Sequence, residues 1–378
     1  MMMASLILLF LASLTVLASR KVNEANGCAT VDASGNVYTF GGVHGDFNIG
    51  ADPESWTTNL AETLNASGSV TNLTNVPGRP PFTSANIICL SAHFLNAAVF
   101  LNADPADDTS IHKFDFSALA WSRITTTTTN ISGITPNMEK LKAVIDHDTL
   151  VIYAFDNGRM LRLGDADRLN LNNNLTTIPW EDANFNFIPP QLSSTNYTAT
   201  MGQGWISIYF FGVPTTTNGE VWGYRIHYNE WSSEPQFCDS DFKPMHGETA
   251  TFTFRNASEN THDGAPSHIA YIPDDYSAVY IIDSYINMTT TCAAPPKEGT
   301  SLFTRYVAND NYLVQYTPDT GVVRFLDLGW LFSGHQRPDI SNLGWTDATV
   351  FSEAASDGSG VDETSSLASA AKRSGAKG

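Results

Sequence analysis

Residues 205–231 read WISIYFFGVPTTTNGEVWGYRIHYNEW. Ile206 to Phe211 is an apolar run of strand length, Pro214 and Asn218-Gly219 mark a polar turn, and Val221 to Tyr228 alternates in character before Trp231 closes the segment. The stretch predicts a hairpin unit ending in a tryptophan. Whether it defines the fold depends on whether the unit recurs.

It does recur. Upstream, Ile87 to Ser91, Ala97 to Asn102 and Ile111 to Trp121 form a second unit. Six residues lie between Phe114 and Trp121, as between Tyr224 and Trp231. In both units the first of these aromatics stands twelve positions after the residue that ends the apolar strand, Asn102 or Gly212. Equal internal distances across about 110 residues argue for repetition, and half of that separation, about 55 residues, fits the period of one unit.

Weaker copies fill the rest. Thr149 to Phe155 and Arg159 to Leu163 flank Asp156-Asn157-Gly158, an Asn-Gly hairpin signal, and Trp180 closes that unit. His268 to Ile272 and Ala278 to Asp283 flank Pro273-Asp274-Asp275. Leu302 to Val307 and Tyr312 to Tyr316 flank Asn309-Asp310-Asn311, and Val323 takes the tryptophan slot. Near the N-terminus a first strand pair starts at Cys28 and ends in Gly41-Gly42. The best helix candidate, Asn137 to Ile145, is short.

Many short strands punctuated by turns suit a sandwich, a barrel or a propeller, and a repeat of this period selects the propeller. The expectation is an all-β, six- or seven-bladed β-propeller over residues 27–351, the seventh blade arising if Asn342 to Phe351 joins the N-terminal strands. The double glycine that ends a strand pair, and the aromatic followed six residues later by a tryptophan, resemble the kelch repeat. That resemblance implies a fold rather than an activity.

Twenty basic residues stand against thirty-nine acidic ones, a formal charge of -19, which repels nucleic-acid phosphates and anionic membrane surfaces. Residues 4–18, ASLILLFLASLTVLA, are too short to span a bilayer comfortably and end in small residues, so residues 1–18 read as a cleaved signal peptide. Seven sequons, at Asn65, Asn72, Asn130, Asn174, Asn196, Asn256 and Asn287, add independent support for secretion. No membrane span is expected after signal cleavage. Residues 352–378, rich in Ser, Ala and Gly, read as a disordered tail.

Four cysteines in an oxidising compartment predict two disulfides, and Cys28 with Cys89 and Cys238 with Cys292 is the favoured pairing. Histidines at 227, 246, 262 and 268 lack metal-site spacing and read as loop or core residues, so neither metal nor cofactor is expected.

A second resemblance is to six-bladed fungal-type fucose lectins, carried by Ile206 to Trp231 and similarly by Val151 to Arg162 and Leu313 to Arg324. It implies sugar contact by Arg162, Arg225, Arg324, Tyr228 and Trp231, the guanidinium bonding hydroxyls and the flat ring covering a C–H patch. The alternative role for these aromatics is core packing. The function expected is a non-catalytic scaffold that binds an extracellular protein or glycan. The competing expectation is a glycoside hydrolase, which needs two or more of Asp104, Asp146, Asp148, Asp165 and Asp239 to converge in one funnel.

Overall fold

The computed structural model describes residues 26–51, 70–84, 86–92, 95–107, 109–131, 136–138, 140–146, 149–156, 158–164, 177–183, 192, 196–202, 207–214, 220–226, 228–234, 245–252, 266–284, 286, 288–297, 304–309, 311–329 and 344–348. The N-terminal apolar run and the 352–378 segment lie outside the described residues.

Among the described residues all the regular structure is β apart from isolated turns, and it follows chain order in four-stranded antiparallel meanders. The first meander holds β1 (Gly27–Val31), β2 (Val37–Gly41), β3 (Phe47–Gly50) and β4 (Thr71–Asn72). The second holds β5 (Ile88–Ala92), β6 (Ala97–Leu101), β7 (Ser110–Asp115) and β8 (Ala120–Asn130). The third holds β9 (Lys142–Ile145), β10 (Ile152–Asp156), β11 (Arg159–Leu163) and β12 (Thr177–Asp182). The fourth holds β13 (Thr198–Gly202), β14 (Ser207–Phe211), β15 (Val221–Arg225) and β16 (Glu230–Glu234). The fifth holds β17 (Gly247–Phe252), β18 (His268–Pro273), β19 (Val279–Asp283) and β20 (Met288–Cys292). The sixth holds β21 (Arg305–Ala308), β22 (Tyr312–Thr317), β23 (Val322–Asp327) and β24 (Thr346–Ala348). The second and third meanders share one eight-stranded sheet, because the long β8 runs parallel to β12 from Thr125↔Thr177 to Asn130↔Glu181.

The second strand of each meander carries the fold. VYTFG, AAVFL, IYAFD and SIYFF are buried at every position, as is HIAYIP after its first residue, so each sheet has an apolar side chain on both faces. A strand of that kind must be covered twice. Each meander accordingly shares one apolar cluster with its predecessor and another with its successor. Tyr38 and Phe40 meet Phe100, Phe114 and Trp121; Val99 and Leu101 meet Ile152 and Leu161; Tyr153 and Phe155 meet Ile208 and Phe210. Tyr209 and Phe211 then meet Ile269 and Tyr271, and Ala270 and Ile272 meet Leu313 and Leu326. Finally Val314 and Tyr316 meet Val37 and Phe47, closing the sixth meander on the first.

The first strands follow one another in the same cycle, β1 beside β5, β5 beside β9, and so on until β21 lies beside β1. Adjacent first strands run parallel: Cys28 reaches Cys89 and, two residues on, the Thr30 hydroxyl meets the Ser91 hydroxyl. The Cys28–Cys89 disulfide therefore joins the first two meanders at their inner strands. At the next seam Asn102 donates to the Asn86 and Met138 carbonyls, and Asn86 donates to those of Met138 and Leu141.

The register explains the six-residue spacing. Phe114 lies opposite Trp121 across β7–β8, and Tyr224 lies opposite Trp231 across β15–β16, so each pair is a cross-strand contact. Asn102 and Gly212 both take positive φ, 57° and 92°, and asparagine is the residue other than glycine that enters that region most readily.

Four expectations need correction. Val323 lies opposite Tyr316 across β22–β23, not across the third and fourth strands, so it does not occupy the tryptophan slot. Thr346–Ala348 pairs with β23 of its own meander rather than with the N-terminal strands. Residues 142–145 within the helix candidate form strand β9, because pairing with β10 and the β-branched Val144 and Ile145 override a weak helical period. Cys292 is a free, buried thiol packed near Phe252 and Val279; burial pushes it up to about 12, and the Cys238–Cys292 bridge is not made. Cys238 itself is outside the described residues.

Two substitutions test this account. Phe40 makes edge contacts with Phe100, Phe114 and Trp121 at 5.0, 5.2 and 5.4 Å, so Phe40→Ala is expected to cost about 3–5 kcal/mol in urea unfolding. Cys28→Ser is expected to cost about 2–4 kcal/mol under non-reducing conditions and nothing further when reductant is added.

Candidate functional site

Each first strand is terminal in its sheet and so leaves one edge without a strand partner. These six edges enclose a channel of about 250 Å³. Its lining takes consecutive residues from five of the six strands, such as Ile88–Ser91, Thr198–Met201 and Glu248–Thr251, which is what strands presented edge-on produce, and Ala29 and Val31 from β1. Main-chain N–H and C=O groups therefore face the channel beside small and hydroxyl side chains, and they require water or a polar ligand to bond to.

Because the first strands are parallel, their N-terminal ends gather at one mouth. The seams there are polar. Lys142, first in β9, donates to the Tyr197 carbonyl and to Asn196 Oδ1 at 3.1 Å, with its ammonium 4.7 Å from the Tyr197 ring centre. Thr198 Oγ1 donates to the Gly247 carbonyl and accepts from the Gly247 amide at 3.2 Å. Arg305, first in β21, meets Glu248 of β17 at 3.4 Å. His246 Nδ1 lies 2.8 Å from Asp274. Gly212 allows this assembly, since a Cβ at its φ of 92° would stand 2.7 Å from the His246 amide nitrogen and 2.9 Å from the Asn196 carbonyl.

Among the described residues, Lys142 has no carboxylate within ion-pairing distance, and both acceptors of its ammonium are neutral. Burial pulls it down to about 8, opposed by the negative charges of Glu248 and Asp274. A lysine this far below its ordinary value of 10.5, at the rim of a cavity, is the kind of group that marks a functional site.

The residues picked out by the lectin resemblance lie elsewhere, in three meanders. Arg162 of β11 bonds Glu181 of β12 at 2.7 Å, and Arg324 of β23 bonds Asp347 of β24 at 2.5 Å. Arg225 of β15 stands 3.9 Å from Glu230 of β16. Each is a directly opposed cross-strand pair on the third and fourth strands, away from the channel. Trp231 packs against Phe210 and Tyr224, with ring centres 5.2 and 5.0 Å away, while Tyr228 is exposed in the β15–β16 turn.

Of the five acids considered for hydrolysis, Asp148, Asp165 and Asp239 lie outside the described residues. Asp146 is buried at the C-terminal end of β9, accepting from Thr149 at 2.6 Å. Asp104 follows β6, which runs antiparallel to the first strands, and its Oδ1 caps the Ala106 amide. These two acids therefore sit on opposite faces. Asn72 and Asn196 are exposed sequon residues, and Asn130 ends β8; Asn65, Asn174, Asn256 and Asn287 lie outside the described residues.

Sequence reasoning missed Lys142, Glu248, Arg305 and Asp274. Their numbers are far apart, and the one available signal was that three of them open or nearly open a first strand. The chain matches no family model and no curated protein.

The Lys142 environment has a signed pH consequence. Its folded value lies below its unfolded one, so between about 8 and 10.5 the unfolded chain holds more protons and stability rises with pH. Lys142→Met removes that contribution. In urea unfolding at pH 7 and pH 10, the parent is expected to gain stability relative to the variant at the higher pH; parallel changes in both proteins would contradict it. Arg324→Ala, by contrast, is expected to change stability by about 1 kcal/mol or less, since its partner is largely exposed.

Proposed function

We propose that the chain is a secreted, N-glycosylated, six-bladed, kelch-like β-propeller acting as a non-catalytic binding scaffold for an extracellular protein or glycan. The contact face is the one on which the first strands begin. The observation that carries this reading is the polar mouth of the channel, where Lys142 bonds Asn196 and Tyr197 across one seam and Arg305 meets Glu248 across another, with the His246–Asp274 pair in the same fifth meander as Glu248. The fold does not need charges there, because apolar clusters already hold the seams.

Supporting the propeller are the cyclic order of the first strands and the six shared clusters. Supporting the kelch-like repeat are the opposed pairs Phe114–Trp121 and Tyr224–Trp231. The Cys28–Cys89 disulfide, the leader and the sequons support export, and among the described residues no helix is long and apolar enough to cross a membrane. The exposed positions of Asn72 and Asn196 suit glycan attachment.

The test pairs two measurements on purified protein. A broad panel of glycoside substrates is expected to show no turnover, while a glycan array or a pull-down from extracellular proteins is expected to retain a partner. Arg305→Glu should weaken that retention by about tenfold or more, since it sets a like charge against Glu248. Turnover of any panel substrate, or silence in both binding assays, would remove the scaffold reading.

A further inference from the structure

This inference rests on the scaffold reading and concerns the regulation of its contact face. The fourth strand of a meander runs opposite to the first and so ends on the face at which the first strands begin. Asn72 is the last residue of β4, Asn130 the last of β8, and Asn196 stands two residues before β13. All three sequons among the described residues therefore lie on that face. The side chains of Asn72 and Asn196 also share one hydrogen-bonding pattern. Asn72 Oδ1 accepts from the Thr74 amide at 2.9 Å, and Asn196 Oδ1 accepts from the Lys142 ammonium at 3.1 Å. In both, the amide nitrogen that a glycan would join has no partner among the described residues. Asn26, Asn86, Asn102 and Asn309, by contrast, commit theirs to main-chain carbonyls. Glycan attachment replaces one hydrogen on Nδ2 and leaves Oδ1 an acceptor, so the bond from Lys142 is compatible with it.

Of the two, Asn196 stands at the mouth. A Cβ on Gly212 would lie 2.9 Å from the Asn196 carbonyl oxygen, 2.7 Å from the His246 amide nitrogen and 3.0 Å from the Met245 carbonyl carbon, so these backbones converge there. Thr198, two residues beyond Asn196, and Glu248, three beyond Met245, both line the channel. The Met245 amide and carbonyl bond the Tyr271 hydroxyl at 3.0 and 2.7 Å, which fixes the backbone, while the residue stays 38% exposed. An apolar side chain in water beside an uncommitted amide nitrogen is a surface that the C–H face of an attached sugar can cover.

We propose that Asn196 carries an N-linked glycan whose first sugars lie over Met245 and the adjoining end of the channel, so that occupancy of this one residue weakens contact between the mouth and a partner. The Asn72 glycan stands on the same face in the first meander, away from Met245.

The experiment uses the full chain from a glycosylating host. Peptide mapping after enzymatic glycan release, which turns a linked asparagine into aspartate, is expected to find Asn196 and Asn72 occupied. Dilute hydrogen peroxide then probes the mouth, with methionine sulfoxide read by mass spectrometry. Met245 is expected to oxidise about threefold or more faster in Asn196→Gln, and after glycan release from the folded parent, than in the intact parent. Asn72→Gln is expected to leave the Met245 rate unchanged, and Met288, 45% exposed, serves as the internal reference in every sample. Thermal unfolding of each variant, together with release from the parent, separates a lost glycan from a lost fold. In the glycan array and pull-down, Asn196→Gln is expected to retain about threefold or more partner than the parent. An unoccupied Asn196, or a Met245 rate that neither treatment changes, overturns the inference and leaves the scaffold reading standing. Faster Met245 oxidation with equal retention by parent and variant overturns the control of contact. Faster oxidation with silence from both proteins in both binding assays upholds the glycan's position and removes the scaffold reading.

Discussion

Each four-stranded sheet in this protein is apolar on both faces, and that single property forces the architecture. An isolated sheet of this kind would leave side chains such as Phe40, Phe155 and Phe211 in water, at about 25 cal/mol for each Å² exposed. Pairing two sheets would cover one face of each and leave the others. Closing the sheets in a cycle covers every face, and the Val314, Tyr316, Val37 and Phe47 contacts complete it. The same closure hides the free edges of the first strands around a channel, while the outer edges are managed locally: β8 and β12 pair with each other, and β4 and β24 are two and three residues long.

Closure also decides where chemistry can sit. Where neighbouring meanders meet through their second strands the seams are apolar, but where first strands converge the side chains crowd at two mouths, and polar groups there can reach across seams. Between the first and second meanders the crossing is covalent, through Cys28 and Cys89; between the second and third it is made by Asn86 and Asn102. From the third meander to the sixth it is made by Lys142, Thr198 and the Glu248–Arg305 pair. Burial opposes the charge of Lys142, a cost that the fold could have avoided with a methionine of similar length.

Much of the fold was legible in local order. The spacing of Phe114 and Trp121, and of Tyr224 and Trp231, is a hairpin register, and a hairpin is short enough for sequence to encode directly. The same logic misassigned Val323, because the spacing recurs in β22–β23 and sequence alone does not say which strands of a meander a hairpin joins. The lectin-like arginines show a related limit. Arg162, Arg225 and Arg324 each follow the strand pattern closely, and that pattern did not reveal their ion-pair partners Glu181, Glu230 and Asp347 on the neighbouring strand. The mouth residues carried almost no signal, since Lys142, Glu248 and Arg305 belong to no motif and stand dozens of residues apart.

Taken alone, the amino-acid order determined the all-β class, the approximate period and the hairpins, because each depends on contacts between near neighbours, while the Cys28–Cys89 bridge, between residues 61 apart, was one of three pairings that the sequence allowed. The tertiary structure alone decided that Cys292 is an unpaired core thiol, that Thr346–Ala348 stays within its own meander, and that Lys142 reaches Asn196 and Tyr197 across a seam at the channel mouth. Those outcomes depend on which sheet faces lie together, and that follows from burying both faces of every sheet at once, a condition that no single stretch of sequence contains.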